Sequence, residues 1–306
     1  MKVLIRESIA EAGVELLRAK FEVDVDGSSP LEEVIGGYDA IVIRSATKLT
    51  ADLIARGERL RVIGRAGVGV DNVDVGAATR RGIVVANAPE SNVVSAAEHT
   101  IALLLALARN IPQAHEALVH GRWERSQWGG VEVADKVLGV LGFGRIGREV
   151  ARRALGLQMR VVAYDPFVSA DRFRELGVEP GTFAEVLERA DFLTLHLPLT
   201  DDTRGSIDAD TIAHMRDGVR IVNAARGELV DEEALVEALR AGHLRHAGLD
   251  VYAVEPLPAG HPLSTLSNVT LSAHSAFRTP EANRNLIAAA LEHCRRITGA
   301  PAHCTN

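Results

Sequence analysis

The stretch Val137-Leu-Gly-Val-Leu-Gly-Phe-Gly-Arg-Ile-Gly-Arg148 constrains this chain more than any other. Val137 to Leu141 is an apolar run of strand length, and Gly142, Gly144 and Gly147 follow at once as G-x-G-x-x-G. Behind them Ile146, Val150, Ala151, Ala154 and Leu155 recur at helical spacing. A second strand, Arg160 to Tyr164, ends on Asp165, 18 residues past Gly147. Strand, glycine turn, helix, strand and acid in that order predict a dinucleotide-binding unit. Gly142 permits the tight turn, Gly144 lets backbone approach a pyrophosphate, and Gly147 lets helix and strand pack closely. The helix start offers free N–H groups and a positive dipole end to the phosphates. Asp165 is placed to accept hydrogen bonds from a ribose diol and to repel a 2′-phosphate, which favours NAD over NADP.

A chain of 306 residues predicts two domains, each able to bury its own core. The net charge of −7, with arginines scattered rather than clustered, argues against a nucleic-acid surface. The apolar part of Met1-Lys-Val-Leu-Ile-Arg6 is too short for a signal peptide and reads as a first strand. The most apolar helical run, Ile101 to Ala108, is bracketed by Glu98, His99 and Arg109 and is too short to span a bilayer. Two cysteines, Cys294 and Cys304, allow at most one bridge, so a reducing cytoplasm is expected. With no H-E-x-x-H and no paired C-x-x-C, no metal site is expected.

Strand patterns at Val3–Ile5, Phe21–Val25, Ala40–Arg44, Val62–Arg65 and Ile83–Ala86 alternate with helical ones, which predicts a parallel sheet. Pro89 breaks that rhythm, and a long helix follows from Ser91 to Arg109. Its apolar positions occupy more than one face, so burial between domains or against another subunit is expected. Residues 113–135 read as a connection. Strands then recur at Val137–Leu141, Val161–Tyr164, Phe192–Leu197, Val219–Asn223, Ala247–Val251 and Val269–Leu271. Pro280 opens a last helix that comes too late for the second sheet. The expectation is an α/β chain of two doubly wound parallel sheets, in which a dinucleotide-binding domain (91–280) is inserted into a discontinuous first domain (1–90 and 281–306).

Open α/β sheets bind ligands beyond the carboxyl ends of their strands. At three successive strand ends of the second domain stand Arg226, Glu255 and His274. Singly, each has a structural explanation: an ion pair, a solvated turn before Pro256, a surface residue. Together, beside a dinucleotide motif, they fit hydride transfer from an alcohol carbon. His274 suits the base that takes the hydroxyl proton. Glu255 would orient the imidazole, and Arg226 offers a planar fork for a substrate carboxylate. His196, which ends another strand, is expected to lie outside this group.

These residues, with Arg44-Ser-Ala-Thr47, the segment from Gly64 to Asp74, Trp123-Glu-Arg125, the segment from Asn223 to Asp231 and that from Leu249 to Pro256, resemble the D-isomer-specific 2-hydroxyacid dehydrogenases. The likeness covers roughly residues 40 to 297 and is strongest to the branch that acts on 3-phospho-D-glycerate. The resemblance implies a flavodoxin-like substrate domain and a Rossmann NAD domain. It implies Arg226, Glu255 and His274 as the catalytic trio, and NAD contacts at Gly142, Gly144, Arg145, Ile146, Gly147, Asp165, Ala224 and Asp250. It assigns the Gly67-Val68-Gly69 backbone to a substrate carboxylate, and Arg44, then Arg65 and Arg125, to a substrate phosphate. It also implies a homodimer joined through the 91–109 helix. The implied activity is NAD-dependent oxidation of 3-phospho-D-glycerate to 3-phosphohydroxypyruvate, which feeds serine synthesis. The alternatives are another small D-2-hydroxy acid (glycerate, lactate or glyoxylate) and, more distantly, an NAD-sensing binding protein. Two departures stand out. Relatives of that branch carry small residues after the histidine, where this chain has Phe277 and Arg278. The chain also stops at Asn306, so no C-terminal regulatory domain is expected.

Overall fold

The computed structural model describes residues 1–9, 11–88, 90–282, 284 and 285. Pro89, Cys294, Cys304 and most of the expected closing helix lie outside the described residues. The chain divides into two compact units, Met1–Val93 with the chain from Arg278 onward, and Val94–Phe277.

The first unit is built on a five-stranded sheet. Its strands are β1 (Lys2–Ile5), β2 (Glu22–Val25), β3 (Ala40–Ile43), β4 (Val62–Arg65) and β5 (Val84–Asn87). They run parallel in the order β2-β1-β3-β4-β5, the doubly wound flavodoxin-like order. The core strands β1 and β3 are apolar on both faces, because helices cover both sides of such a sheet. Leu4, Ile41, Ile43 and Ile63 pack there with Leu49, Ile54 and Ala78. The edge strand β2 (EVDV) buries none of its four residues, which explains its charges. Asp74 caps the Val75–Arg80 helix by accepting from Ala77 N.

The second unit has a seven-stranded sheet. It comprises β6 (Val137–Leu141), β7 (Arg160–Tyr164), β8 (Glu179–Pro180), β9 (Phe192–Leu195), β10 (Val219–Asn223), β11 (Leu244–Leu249) and β12 (Val269–Leu271). All pairs are parallel, in the order β12-β11-β10-β9-β6-β7-β8. The order reverses between β6 and β9, the switch point at which such sheets bind nucleotides. The central strand β6 is buried at all five residues, and the glycine turn leaves from its end. Two apolar cores flank the sheet, one around Leu193, Ile221, Leu235 and Leu249 and the other around Leu138, Val140, Val150 and Phe192.

Three sequence readings need correction. The sheet has seven strands rather than six, because the two-residue β8 is too short to show a period. The stretch 113–135 is not all connection: a helix spans Ile111–Val119, with its proline near the first position, where a missing N–H costs nothing. The Val93–Arg109 helix packs part of its broad apolar face within its own unit. Leu103, Leu104, Leu107 and Ala108 pack in the same core as Leu138 and Val222, and Gly248 of β11 lets Leu107 lie directly against the strand.

Candidate active site

The glycine turn is fixed by backbone crowding. Gly142 has φ +92°, and a Cβ there would press on the carbonyl of His196 at the end of β9. A Cβ on Gly147 would overlap the Gly142 carbonyl oxygen, so helix and turn meet only through glycine. At Gly144 nothing lies within 4 Å of a Cβ position, which leaves open space on that side of the turn. The Arg145–Gly156 helix starts there with no side-chain cap, so its first N–H groups face outward. Arg145 is exposed, whereas Ile146 is half-buried against the core.

Asp165 closes the turn from the end of β7. Its Oδ2 accepts from Phe143 N at 2.8 Å and its Oδ1 from Phe167 N at 2.9 Å. A carboxylate accepting two backbone bonds keeps lone pairs for a ribose diol, while its aim is already set. Phe143 is locked by stacking on Phe173 with ring centroids 4.4 Å apart. Open space at Gly144, an uncapped helix start and an oriented acid are what an adenine dinucleotide requires, and the residues fit it. His196 lies behind this turn. Burial lowers its pKa to about 3, and its Nε2 lies 3.0 Å from the Thr194 hydroxyl, so it is a neutral structural ring.

The second group forms along the β10, β11 and β12 ends of the same sheet. His274 Nδ1 lies 2.7 Å from Glu255 Oε2. Glu255 Oε1 accepts from Tyr252 N at 3.1 Å, which fixes the carboxylate plane. Burial pushes the Glu255 carboxyl up. The His274 bond and charge, the Tyr252 N–H and the Arg226 charge outweigh that, so it sits below its ordinary value and stays ionised. Side-chain exposure of 27% for His274 and 34% for Glu255 leaves the pair open to a ligand. The Phe277 ring meets the imidazole edge-on, 5.5 Å between centroids.

The backbone at His274 is held in an unusual state. Its φ is +47°, the left-handed region, which costs a non-glycine residue on the order of 1 kcal/mol. Asp250 holds it there. The Asp250 carbonyl accepts from His274 N at 2.8 Å. Its carboxylate accepts from Ser272 Oγ at 2.6 Å and from Ser275 N and Ala276 N, each at 2.9 Å. The residue has 0% exposure. Burial alone would raise the Asp250 pKa, but bonds from His99, Ser272, Ser275 and Ala276 bring it down to about 2. Its carboxylate therefore organises the 272–276 turn, a role the sequence did not suggest beside the expected cofactor contact.

Arg226 is half-buried after β10, with Nη1 donating to Ala225 O at 2.7 Å and its own carbonyl accepting from Asn223 Nδ2. Asn223 Oδ1 takes Ala225 N, so one buried side chain shapes the turn that carries Ala224, Ala225 and Arg226. At Gly227 a Cβ would overlap the Tyr252 carbonyl, and this close approach sets Arg226 beside the segment that bears Glu255.

In the first unit, Glu7 accepts from the N–H groups of Arg44, Ala46 and Thr47 and moulds the turn after β3. Arg44 Nη1 donates to Ser8 O at 3.0 Å. Burial and the charge of Arg278 lower its pKa, while Glu7 opposes them. The Val68 and Gly67 carbonyls are held by Asn87 Nδ2 and Ala88 N, which fixes the loop through Val68 and Gly69. Arg65 folds across Gly67 toward Asn72. Arg125 is exposed on the second unit.

Fold and site together define a two-sheet α/β protein with a dinucleotide turn and a His–Glu pair on the same sheet edge. The D-isomer specific 2-hydroxyacid dehydrogenase, NAD binding domain, matches residues 101–276, and the chain belongs to that family. Its nucleotide is accordingly NAD. The chain is 48% identical over 290 residues to D-3-phosphoglycerate dehydrogenase of Archaeoglobus fulgidus, covering 94% of this chain and 55% of that one. The chain thus spans about half the length of the curated relatives it matches. Among solved structures, the TT0316 protein from Thermus thermophilus superposes with a TM-score of 0.89 at 34% identity, over 98% of this chain and 97% of that one. A glyoxylate reductase from Paecilomyes thermophila superposes with a TM-score of 0.89 at 31% identity, over 96% and 94%. Among the described residues no helix is long and apolar enough to cross a membrane.

Proposed function

We propose that this chain is an NAD-dependent dehydrogenase that interconverts 3-phospho-D-glycerate and 3-phosphohydroxypyruvate. The observation that carries the chemistry is the 2.7 Å bond between His274 Nδ1 and Glu255 on the strand-end edge of the NAD-binding sheet. Bound NAD supplies the carbon that accepts a hydride. The chain does the rest. His274 Nε2 takes the substrate's hydroxyl proton as the C2–H bond breaks, and returns it to the carbonyl oxygen in the reverse direction. Glu255 fixes the tautomer and stabilises the imidazolium that forms. Arg226 pairs with the substrate carboxylate and polarises the adjacent carbonyl. In the first unit, the Val68 and Gly69 backbone is assigned to substrate carboxylate binding and Arg44 to the phosphate. The glycine turn, Arg145, Ile146, Asp165, Ala224 and Asp250 make up the NAD side.

Support for the phosphorylated substrate is the family likeness and the half-buried Arg44. A second reading, another small D-2-hydroxy acid, is favoured by one observation: the Phe277 ring stands edge-on to His274, where relatives of the phosphoglycerate branch carry small residues. The deciding experiment is a steady-state NADH assay of phosphorylated and unphosphorylated 2-keto acids with the parent and Arg44→Ala. A KM rise confined to the phosphorylated acid supports the first reading, and equal effects on both acids support the second. Turnover below about one per minute on every acid would instead favour an NAD sensor, since enzymes in general turn over near ~10 per second.

The assembly we infer is a cytoplasmic homodimer that uses the surface around the Val93–Arg109 helix. Val94, Ile111, Leu118, Val119 and Trp123 are exposed there, between 52% and 80%. Exposed apolar side chains in this stretch of chain support the reading, since contiguous ones commonly mark an interface. Light scattering after gel filtration gives the mass directly.

A further inference from the structure

A side chain of the Val93–Arg109 helix reaches the strained turn that carries His274. His99 Nε2 lies 3.0 Å from Ser272 Oγ and 3.3 Å from Asp250 Oδ1. The direction of these bonds follows from proton counting. A serine hydroxyl has one proton to give. At 2.6 Å from Asp250 Oδ1 that proton is committed to the carboxylate, because the alternative sets two lone pairs against each other at short range. Ser272 Oγ must therefore accept from His99, and Nε2 carries a hydrogen. The chain of donation runs His99 to Ser272 to Asp250, and ends on the carboxylate that also receives Ser275 N and Ala276 N. His274 lies between Ser272 and Ser275, with its own N–H on the Asp250 carbonyl.

We propose that His99 is a positioning residue for His274: through Ser272 and Asp250 it holds the 272–276 turn so that His274 keeps its left-handed backbone and meets Glu255. This rests on the reading of His274 as the acid–base group. The Val93–Arg109 helix is packed into the core through Leu103, Leu104 and Leu107, so it provides a rigid anchor for the turn. Sequence separates His99 from Ser272 by 173 residues, and no local pattern joins them.

The test compares His99→Ala, His99→Gln, Ser272→Ala and the His99→Ala/Ser272→Ala double variant in the full chain. A glutamine amide reaches the place of Nε2 and can donate in its stead. For His99→Ala, kcat should fall about tenfold, with the keto-acid KM and the NADH Kd within about threefold of the parent. His99→Gln should recover most of the loss. The double variant should lose less than the sum of the two single losses, because His99 and Ser272 converge on the same Asp250 oxygen. Ring nitrogen chemical shifts of His99 should show Nε2 protonated. An unchanged kcat in His99→Ala, equal losses in the alanine and glutamine variants, or additive losses in the double variant would overturn the proposal. Should His99→Ala fail to fold, a folded Ser272→Ala with parental kcat overturns it equally. His274→Ala, measured alongside, separates the two ideas. Retained turnover there sinks the acid–base reading, whereas its loss together with a normal His99→Ala sinks only the positioning role.

Discussion

Replacing Asp250 by asparagine tests the most heavily bonded residue in the site. The carboxylate is fully buried and takes Ser272 Oγ and Ser275 N on Oδ1, with His99 Nε2 3.3 Å from the same oxygen, and Ala276 N on Oδ2. An amide oxygen can serve the first group, but its NH2 then faces the Ala276 N–H. One buried donor left unsatisfied costs about 1–3 kcal/mol, and the loss of charge assistance on the others about 0.5–1 kcal/mol each. The sum is roughly 3 kcal/mol or more for the second unit. Both tryptophans, Trp123 and Trp128, belong to that unit, so their fluorescence reports its unfolding. In urea the midpoint should fall by about 1 M at neutral pH. The pH dependence supplies a second check. The folded Asp250 pKa is depressed from 3.8 to about 2, so its contribution is complete above the unfolded value and lost as pH falls from about 3.8 to about 2. At 1.36 kcal/mol per pH unit that is roughly 2 kcal/mol. The asparagine variant should lack this part of the acid destabilisation. A midpoint shift under about 0.2 M, or an unchanged acid profile, would refute the reasoning.

Three further outcomes follow from single distances. Gly147→Ala places a methyl on the Gly142 carbonyl, so NADH affinity by fluorescence titration should fall at least about tenfold while the sheet still folds. Asp165→Ser removes the carboxylate we assign to the ribose diol and its charge against a 2′-phosphate, so the NADP-to-NAD ratio of kcat/KM should rise by about ten- to a hundredfold. Glu255→Gln keeps the shape but removes the charge beside His274, and kcat should fall by about a hundredfold with NADH affinity unchanged. An activity loss matched by a loss of NADH binding would place Glu255 in cofactor binding instead.

The parts of this molecule written in contiguous residues were readable from sequence. Apolar runs of strand length, each closed by a polar turn, gave the alternation of the sheets. The glycines of 142–147 announced their crowding because no other residue tolerates it. The places of Arg226, Glu255 and His274 after β10, β11 and β12 were legible because strand ends are counted along the chain. What escaped depends on distance in space. The Ile111–Val119 helix was hidden by a proline that suits a helix start as well as a break. His99 looked like a polar flank of an apolar run, yet it meets Ser272 across the unit. Asp250 read as a cofactor contact, and nothing in its neighbours revealed that the turn after β12 would fold around its carboxylate. The left-handed backbone of His274 was equally invisible, since it arises from those same bonds.

The central claim, that His274 with Glu255 moves the proton while the rest of the second unit holds NAD, can be met by one measurement. Single-turnover oxidation of bound NADH by 3-phosphohydroxypyruvate is followed in the parent and in His274→Ala, with NADH affinity titrated in the same samples. The account predicts that His274→Ala slows the step by at least about a thousandfold while NADH binds within about twofold of the parent. A variant that still turns over within about tenfold of the parent, with NADH equally bound, would contradict it.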